Sequence, residues 1–323
     1  MGKIYFIVNP KAKNGYCKKV WKKVEKELRL FAFPYEAFLT KYPGNGREIA
    51  RLLAQTAKGE QVNMIVVGGD GTLNEVINGI ADYPHVRVGF IPGGSGNDFS
   101  RGYSIPKAPI KALREVLELI NLSSQYVDIG KLRNEEQKES YFINNMGAGF
   151  DAHIAKEANR SPLKQTLNRL SLGSLVYAYI LVKSLFTYKC TELMVEIDGT
   201  IYHFENAWFV TVSNQPFYGG GMKIAPEASP VDGQLDVTVV HHLSKLKLLL
   251  VFITVFWGGH RRFKEVETFT GRYISIHSSD LIDIHTDGEY IGGTPAEIQV
   301  CPQVLPIIVR GFKGEGGKGV EFK

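Results

Sequence analysis

The apolar run Val62-Asn63-Met64-Ile65-Val66-Val67 passes directly into GGDGTLNEV at positions 68 to 76. A buried strand thus delivers a glycine-rich turn to the start of a helix, and a strand–turn–helix unit of this kind belongs to an α/β sheet. Glycines let the backbone reach positive φ and approach an anion closely. The N–H groups and positive end of the following helix favour negative charge there. Thr72 and Glu75, three apart, predict a capping box and a helix beginning near Leu73. Taken alone, Gly-Gly-Asp-Gly also suits an ordinary tight turn.

A second copy of the pattern favours phosphate binding. Val86 to Ile91 reads as another buried strand and runs into PGGSGNDFSR at 92 to 101. Ile4 to Val8 leads into Asn9-Pro10 and a loop closed by Gly15. Val20, Trp21, Val24 and Leu28 follow at helical spacing. In open parallel sheets such loops gather at the carboxyl edge, where ligands bind, so three units converge on one ligand. Asp70 and Asp98 would repel phosphate unless Mg²⁺, directly or through its waters, lies between. Asp128, in Tyr126-Val127-Asp128-Ile129-Gly130, can complete that cluster. Each aspartate taken singly also suits a turn or cap.

These segments, with Asn9-Pro10 and Asp287-Gly288-Glu289, resemble the diacylglycerol kinase catalytic family, in particular the soluble bacterial lipid kinases related to sphingosine and ceramide kinases. The resemblance runs over nearly the whole chain. GGDGT itself is shared with NAD kinases and, more loosely, phosphofructokinases. Asn97-Asp98-Phe99 with Arg101, the later NNMGAGFDA (144 to 152) and the order of the elements favour a lipid kinase.

The resemblance implies an α/β plus all-β chain. An N-terminal doubly wound nucleotide-binding domain, NAD kinase/phosphofructokinase-like, is expected over residues 1–130, and a C-terminal β-sandwich that binds lipid over 131–304. A segment near 305–312 returns to the first domain, and 313–323 is a flexible tail. Nucleotide contact falls, partly by resemblance, to Asn9, Pro10, Gly15, Thr40, Gly68, Gly69, Asp70, Gly71, Thr72, Asn74, Glu75, Gly94, Ser95, Asn97 and Asp98. ATP and Mg²⁺ are the expected ligands, with Asp70 also acting in catalysis. Ser229, Asp232 and Gln234 match positions where relatives hold a structural Mg²⁺, although Ser229 replaces a lysine whose backbone carbonyl is typical of some members. The family places its proton acceptor in the Asp287-Gly288-Glu289 motif, and either acid can fill that role. If this stretch is extended, both carboxylates share a face and raise one another's proton affinity.

The expected reaction moves the γ-phosphoryl group of Mg-ATP to a lipid hydroxyl, with diacylglycerol giving phosphatidic acid. An NAD kinase-like phosphotransferase and a non-catalytic nucleotide- or lipid-sensing module stay open. A homodimer is open too.

At 323 residues two domains are the default. No apolar stretch reaches the roughly 18 to 20 residues that span a bilayer. Residues 1–6 read as a strand without a signal-peptide pattern, and Cys17, Cys190 and Cys301 lack zinc or redox spacing. A cytoplasmic protein is expected, peripherally associated with the inner face of the membrane. Lys18, Lys19, Lys22, Lys23, Lys26 and Arg29 concentrate much of the net charge of +5 on one helix. They form either a solvated face or a surface for anionic lipid. Nucleic acid is excluded, since basic residues do not interleave with aromatics and no reading motif is present.

Past residue 130 the pattern changes to short alternating strands: 192–197, 207–212, 235–240 and 273–277. Asp198-Gly199, Asp232-Gly233 and Asp287-Gly288 supply turn signals between them. Two apolar helices, Leu172 to Phe186 and Leu246 to Trp257, interrupt the strands. Neither is long enough to span, so every face must be buried against the sheet, an acyl chain or a membrane surface.

Overall fold

The computed structural model describes residues 3–160 and 173–311. The expected tail at 313–323 and the start of the helix at Leu172 lie outside the described residues. The chain divides into two compact units, the first comprising residues 3–129, 219–221 and 302–311, the second 130–218 and 222–301.

In the first unit β1 (Lys3–Val8), α1 (Tyr16–Leu30), β2 (Glu36–Leu39), α2 (Asn45–Thr56), β3 (Val62–Gly68), α3 (Asp70–Ile80), β4 (Val86–Pro92), α4 (Asp98–Gly102) and α5 (Pro109–Leu119) follow one another. The strands pair in parallel in the order β2-β1-β3-β4. A parallel sheet is covered on both faces and its strands are continuously apolar. Accordingly every residue of β3 and β4 is buried. One face packs Phe6, Val8, Ile65, Val67 and Ile91 against Val20, Trp21, Val24 and Leu28 of α1 and Leu113 and Val116 of α5. The other face buries Tyr5, Ile7, Met64 and Val66.

β5 (Gln125–Asn134) carries the chain out of this unit. The second unit then holds β6 (Glu139–Phe142), β7 (Asn145–Gly149), α6 (Phe150–Arg160), α7 (Gly173–Thr187), β8 (Thr191–Ile197), β9 (Thr200–Ser213), β10 (Phe217–Tyr218), β11 (Met222–Lys223), β12 (Leu235–His241), α8 (Lys245–Thr254), β13 (Val266–Gly271), β14 (Tyr273–Ser278), β15 (Asp283–Thr286), β16 (Glu289–Gly293) and most of β17 (Ala296–Ile307). Its pairings are antiparallel. Inward residues of these strands, among them Met146, Val195, Val210, Val237, Ile276 and Ile284, form one core. β17 then returns to the first unit, where Ile307 pairs with Val88 in parallel.

Two expectations fail locally. α3 starts at Asp70, not near Leu73, and Gly69 at its N-cap makes no side-chain cap bond, so Thr72 and Glu75 form no capping box. Both side chains have stronger partners elsewhere, described below. The second apolar helix buries only one side: Leu248, Val251 and Val255 face inward, while Leu246, Leu250, Ile253, Phe256 and Trp257 are exposed. Among the described residues no helix is long and apolar enough to cross a membrane.

Candidate active site

In the first unit the two glycine loops touch backbone to backbone. The Gly93 N–H donates to Gly68 O at 2.7 Å. A Cβ on Gly69 would sit 3.1 Å from Gly94 Cα, and one on Gly94 would run into Gly69. Only glycine permits this approach, which brings the turn after β3 beside the turn after β4. Asn9, at the end of β1, joins them: its N–H donates to Val67 O at 2.9 Å and its Nδ2 to Thr72 Oγ1 at 3.0 Å. Thr72 is thereby tied to the first strand instead of to its own helix end.

Asn97 shapes the second loop from the left-handed region, with φ 53°. It accepts the Gly94 N–H and donates back to Gly94 O, each at 3.1 Å. Gly94 and Asn97 therefore fold the loop, whereas Ser95 at its tip is exposed. Thr40 is buried, its N–H donating to Val8 O at 2.8 Å. Gly15, φ 83°, opens α1, and Asn74 is buried in α3.

Glu75 has a task that its sequence spacing hides. Its two carboxylate oxygens accept the N–H groups of Gly44 and Gly46, each at 2.8 Å. These lie at the N-terminus of α2, so Glu75 caps a neighbouring helix and meets that helix's positive end.

Asp70 and Asp98 flank one glycine: a Cβ on Gly96 would lie 3.0 Å from Asp70 Oδ2 and 3.7 Å from Asp98 Oδ2. Asp70 Oδ1 accepts the Phe99 N–H at 3.0 Å. Asp98 accepts from the Arg101 guanidinium at 2.8 Å and from the Gly220 N–H at 2.7 Å. Burial raises the Asp70 carboxyl above the usual range. Burial, and then the Asp70 charge, push Asp98 up to about 6. Two crowded carboxylates of this kind are relieved by a cation. Among the described residues, no three His, Cys, Asp or Glu side chains are gathered to hold a metal. Two carboxylates are a donor set that a hard cation such as Mg²⁺ accepts. Asp128, by contrast, has no accessible surface, and its Oδ1 accepts the Gln303 N–H at 2.7 Å. That bond pins the returning β17.

In the second unit the Asp287-Gly288-Glu289 motif is not extended. Asp287 and Gly288 take φ 47° and 86° and form the tip of the β15–β16 hairpin, with Thr286 paired to Glu289. The two carboxylates thus do not share a strand face, which corrects the extended reading. Asp287 accepts the N–H groups of Ile143, Asn144 and Asn145 at 3.1, 3.0 and 3.0 Å. These three bonds hold the Asp287 carboxylate against the 143–145 backbone. Glu289 is exposed.

Beneath this hairpin lies a group the sequence reading missed. His285, fully buried, accepts the Gly288 N–H at Nδ1 (3.2 Å), which leaves its proton on Nε2 facing Tyr218 Oη (3.1 Å) and Asp151 Oδ2 (3.3 Å). A Cβ on Gly147 would lie 2.7 Å from His285 Nε2 and run into Asp151, so the glycine of NNMGAGFDA makes room for this pair. Asp151 inside that segment was the available signal.

Near the third expected site, Asp232 Oδ1 accepts the Gln234 N–H at 3.0 Å. Burial raises Asp232, and burial followed by repulsion from Asp232 and Glu227 pushes Asp236 up to about 7.

Residues 3–132 match the diacylglycerol kinase catalytic domain, and residues 144–309 the YegS C-terminal NAD kinase beta sandwich-like domain. The chain is 34% identical to the YtlR protein of Bacillus subtilis over 94% of its length and 98% of the relative's. It is 31% identical to a diacylglycerol kinase of Staphylococcus aureus, covering 84% of this chain and 80% of that one. The crystal structure of a diacylglycerol kinase from Bacillus anthracis shares the fold, with TM-score 0.68, 23% identity and coverage of 95% and 96%. These matches define a kinase. The chain belongs to the diacylglycerol kinase-like family of lipid kinases. Membership implies ATP as phosphoryl donor, typically with a divalent metal.

Proposed function

We propose that the protein transfers the γ-phosphoryl group of Mg-ATP to the hydroxyl of a membrane lipid, with diacylglycerol as acceptor and phosphatidic acid as product. The backbone contact between Gly69 and Gly94 carries this reading. It sets the start of α3 beside Ser95, where main-chain N–H groups and a hydroxyl can hold phosphate. Gly69, Gly71, Thr72 and Ser95 are the proposed phosphate contacts, joined by the main-chain N–H of Asp70. Asn9, Thr40, Gly94, Asn97 and Glu75 hold the loops in shape around them.

Asp70 and Asp98 would hold Mg²⁺ through its waters; the cation supplies charge neutralisation as the phosphoryl group moves. Asp128 is left out of that set and given a structural role. Glu289 is the proposed proton acceptor for the lipid hydroxyl, while Asp287 builds the turn that presents it. Ser229, Asp232 and Gln234 remain the proposed second cation site, with the Asp232–Asp236 repulsion as its support. The NAD kinase-like name of the second matched domain keeps NAD⁺ in view as an alternative acceptor.

The test uses radiolabelled ATP with diacylglycerol, monoacylglycerol, a sphingoid base and NAD⁺, the lipids in mixed micelles. Label in phosphatidic acid is the expected result, and Asp70→Asn should reduce it more than tenfold (about 1.4 kcal/mol of barrier) while the protein stays folded. Label in NAD⁺ alone would overturn the lipid assignment.

A further inference from the structure

A helix at a protein surface normally carries one apolar stripe and hides it. α8 carries two. Leu248 and Val251 point into the core, packed with Trp208, Val240 and Val266. On the opposite side Leu246, Leu250 and Ile253 lie within roughly 60° of arc at 3.6 residues per turn, and Trp257 follows in the short 3₁₀ turn Val255–Trp257. Their exposures are 74%, 64%, 56% and 63%. The C-terminal end of α7 extends the patch: Lys245 Nζ donates to Phe186 O at 2.8 Å, and Val182 and Phe186 are exposed.

The segments that carry this ridge bear charge of one sign. From Val237 to Lys264 the chain has no Asp or Glu but has Lys245, Lys247, Arg261, Arg262 and Lys264, and Gly173 to Cys190 also lacks acids. Lys247 and Arg261 are paired with Glu265 and Glu227, each at 2.6 Å. Lys245, Arg262 and Lys264 are exposed at the margins. An apolar ridge with a tryptophan at one end and a cationic border matches the boundary between headgroups and acyl chains of an anionic bilayer.

We infer that the α8 ridge, Leu246-Leu250-Ile253-Trp257, is a membrane-docking surface that lies in the plane of an anionic bilayer and inserts these side chains below the headgroups. The inference rests on the lipid-kinase reading for its purpose, since the acceptor resides in that bilayer, but its geometry is independent of the reaction.

Trp257 supplies a direct probe. The chain has three tryptophans, and Trp21 and Trp208 are buried. Adding phosphatidylglycerol–phosphatidylcholine vesicles to the full chain should shift its emission to the blue, and brominated acyl chains should quench it. The variant Leu250→Ser/Ile253→Ser/Trp257→Ser changes only exposed positions. It should bind these vesicles at least about tenfold more weakly, with an unchanged melting temperature. Its phosphorylation of a short-chain diacylglycerol dissolved as monomer should match wild type.

Wild-type vesicle affinity in the triple variant, or no emission shift in the parent chain, overturns the inference and leaves the kinase reading intact. A parent dimer that becomes monomeric in the variant, with no vesicle binding in either, also overturns it and makes the ridge an interface between copies. Vesicle binding that depends on the ridge in a protein that phosphorylates no lipid would support the docking surface while sinking the kinase reading.

Discussion

Asp287 and Glu289 carry the same functional group in different surroundings, and the proposed division into a turn-building and a proton-accepting carboxylate rests on that difference. Glu289→Gln keeps the shape of an exposed side chain and removes its basicity, so kcat should fall at least about tenfold with ATP affinity and melting temperature unchanged. Asp287→Asn keeps one accepting oxygen for the Asn144 and Asn145 N–H groups but turns an amide donor against the Ile143 N–H, and should cost roughly 1–3 kcal/mol of stability, read from denaturant unfolding. The reverse pattern, an unstable Glu289→Gln and a stable but inactive Asp287→Asn, would exchange the two roles.

Asp98 gives a pH signature. Its carboxyl is raised from 3.8 to about 6, so its contribution to stability is present at low pH and is lost as pH rises through about 6. In the proposed site, Asp98 would meet a cation carried by ATP where it has lost its proton. The increase in melting temperature on adding Mg-ATP should therefore grow between about pH 5 and pH 7, and Asp98→Asn should flatten that growth. A pH-independent increase in the wild-type protein would remove Asp98 from the cation site.

At the scale of elements, the glycine loops and the strands that deliver them were legible because each rests on a local pattern: a buried apolar run, then residues without side chains. The capping box was not. Two residues three apart satisfy the spacing rule equally whether their partners are on their own helix or on another one, and Glu75 reaches Gly44 and Gly46, some thirty residues back in the chain. Likewise Asp287-Gly288-Glu289 suits both an extended strand and a hairpin tip. Positive φ at two successive residues decides it, and the neighbouring N–H groups of 143–145 come from a distant segment. His285 escaped notice because nothing local ties it to Asp151 or Tyr218. The Glu75 lock is measurable: Glu75→Ala should lower stability by about 2 kcal/mol, and Glu75→Gln by less because one acceptor remains. An unchanged urea midpoint for Glu75→Ala would mean that α2 is held by packing alone.

For the molecule as a whole, the first unit is discontinuous in sequence. Leu305, Ile307, Ile308 and Val309 are buried, and the Gln303 N–H bonds the fully buried Asp128. Each such apolar side chain is worth about 1.5–3 kcal/mol, so four of them rival a domain's entire margin of roughly 5–15 kcal/mol. A chain ending at Cys301 should lose ATP binding and the melting transition of the first unit, while hydrogen exchange in β8, β9 and β12 stays slow. Retained ATP affinity in that truncation would show that the returning strand is dispensable.

The return of β17 also bears on how the protein is made. On the ribosome the sequence of the first unit appears early, but its last strand is encoded after the entire second unit, so the inserted domain can close first while the nucleotide-binding half waits. Domains commonly form in order of synthesis; a first unit completed by residues 302–311 should close after the second. If the truncation at Cys301 loses ATP binding as expected, an interrupted translation product should likewise carry no working nucleotide pocket.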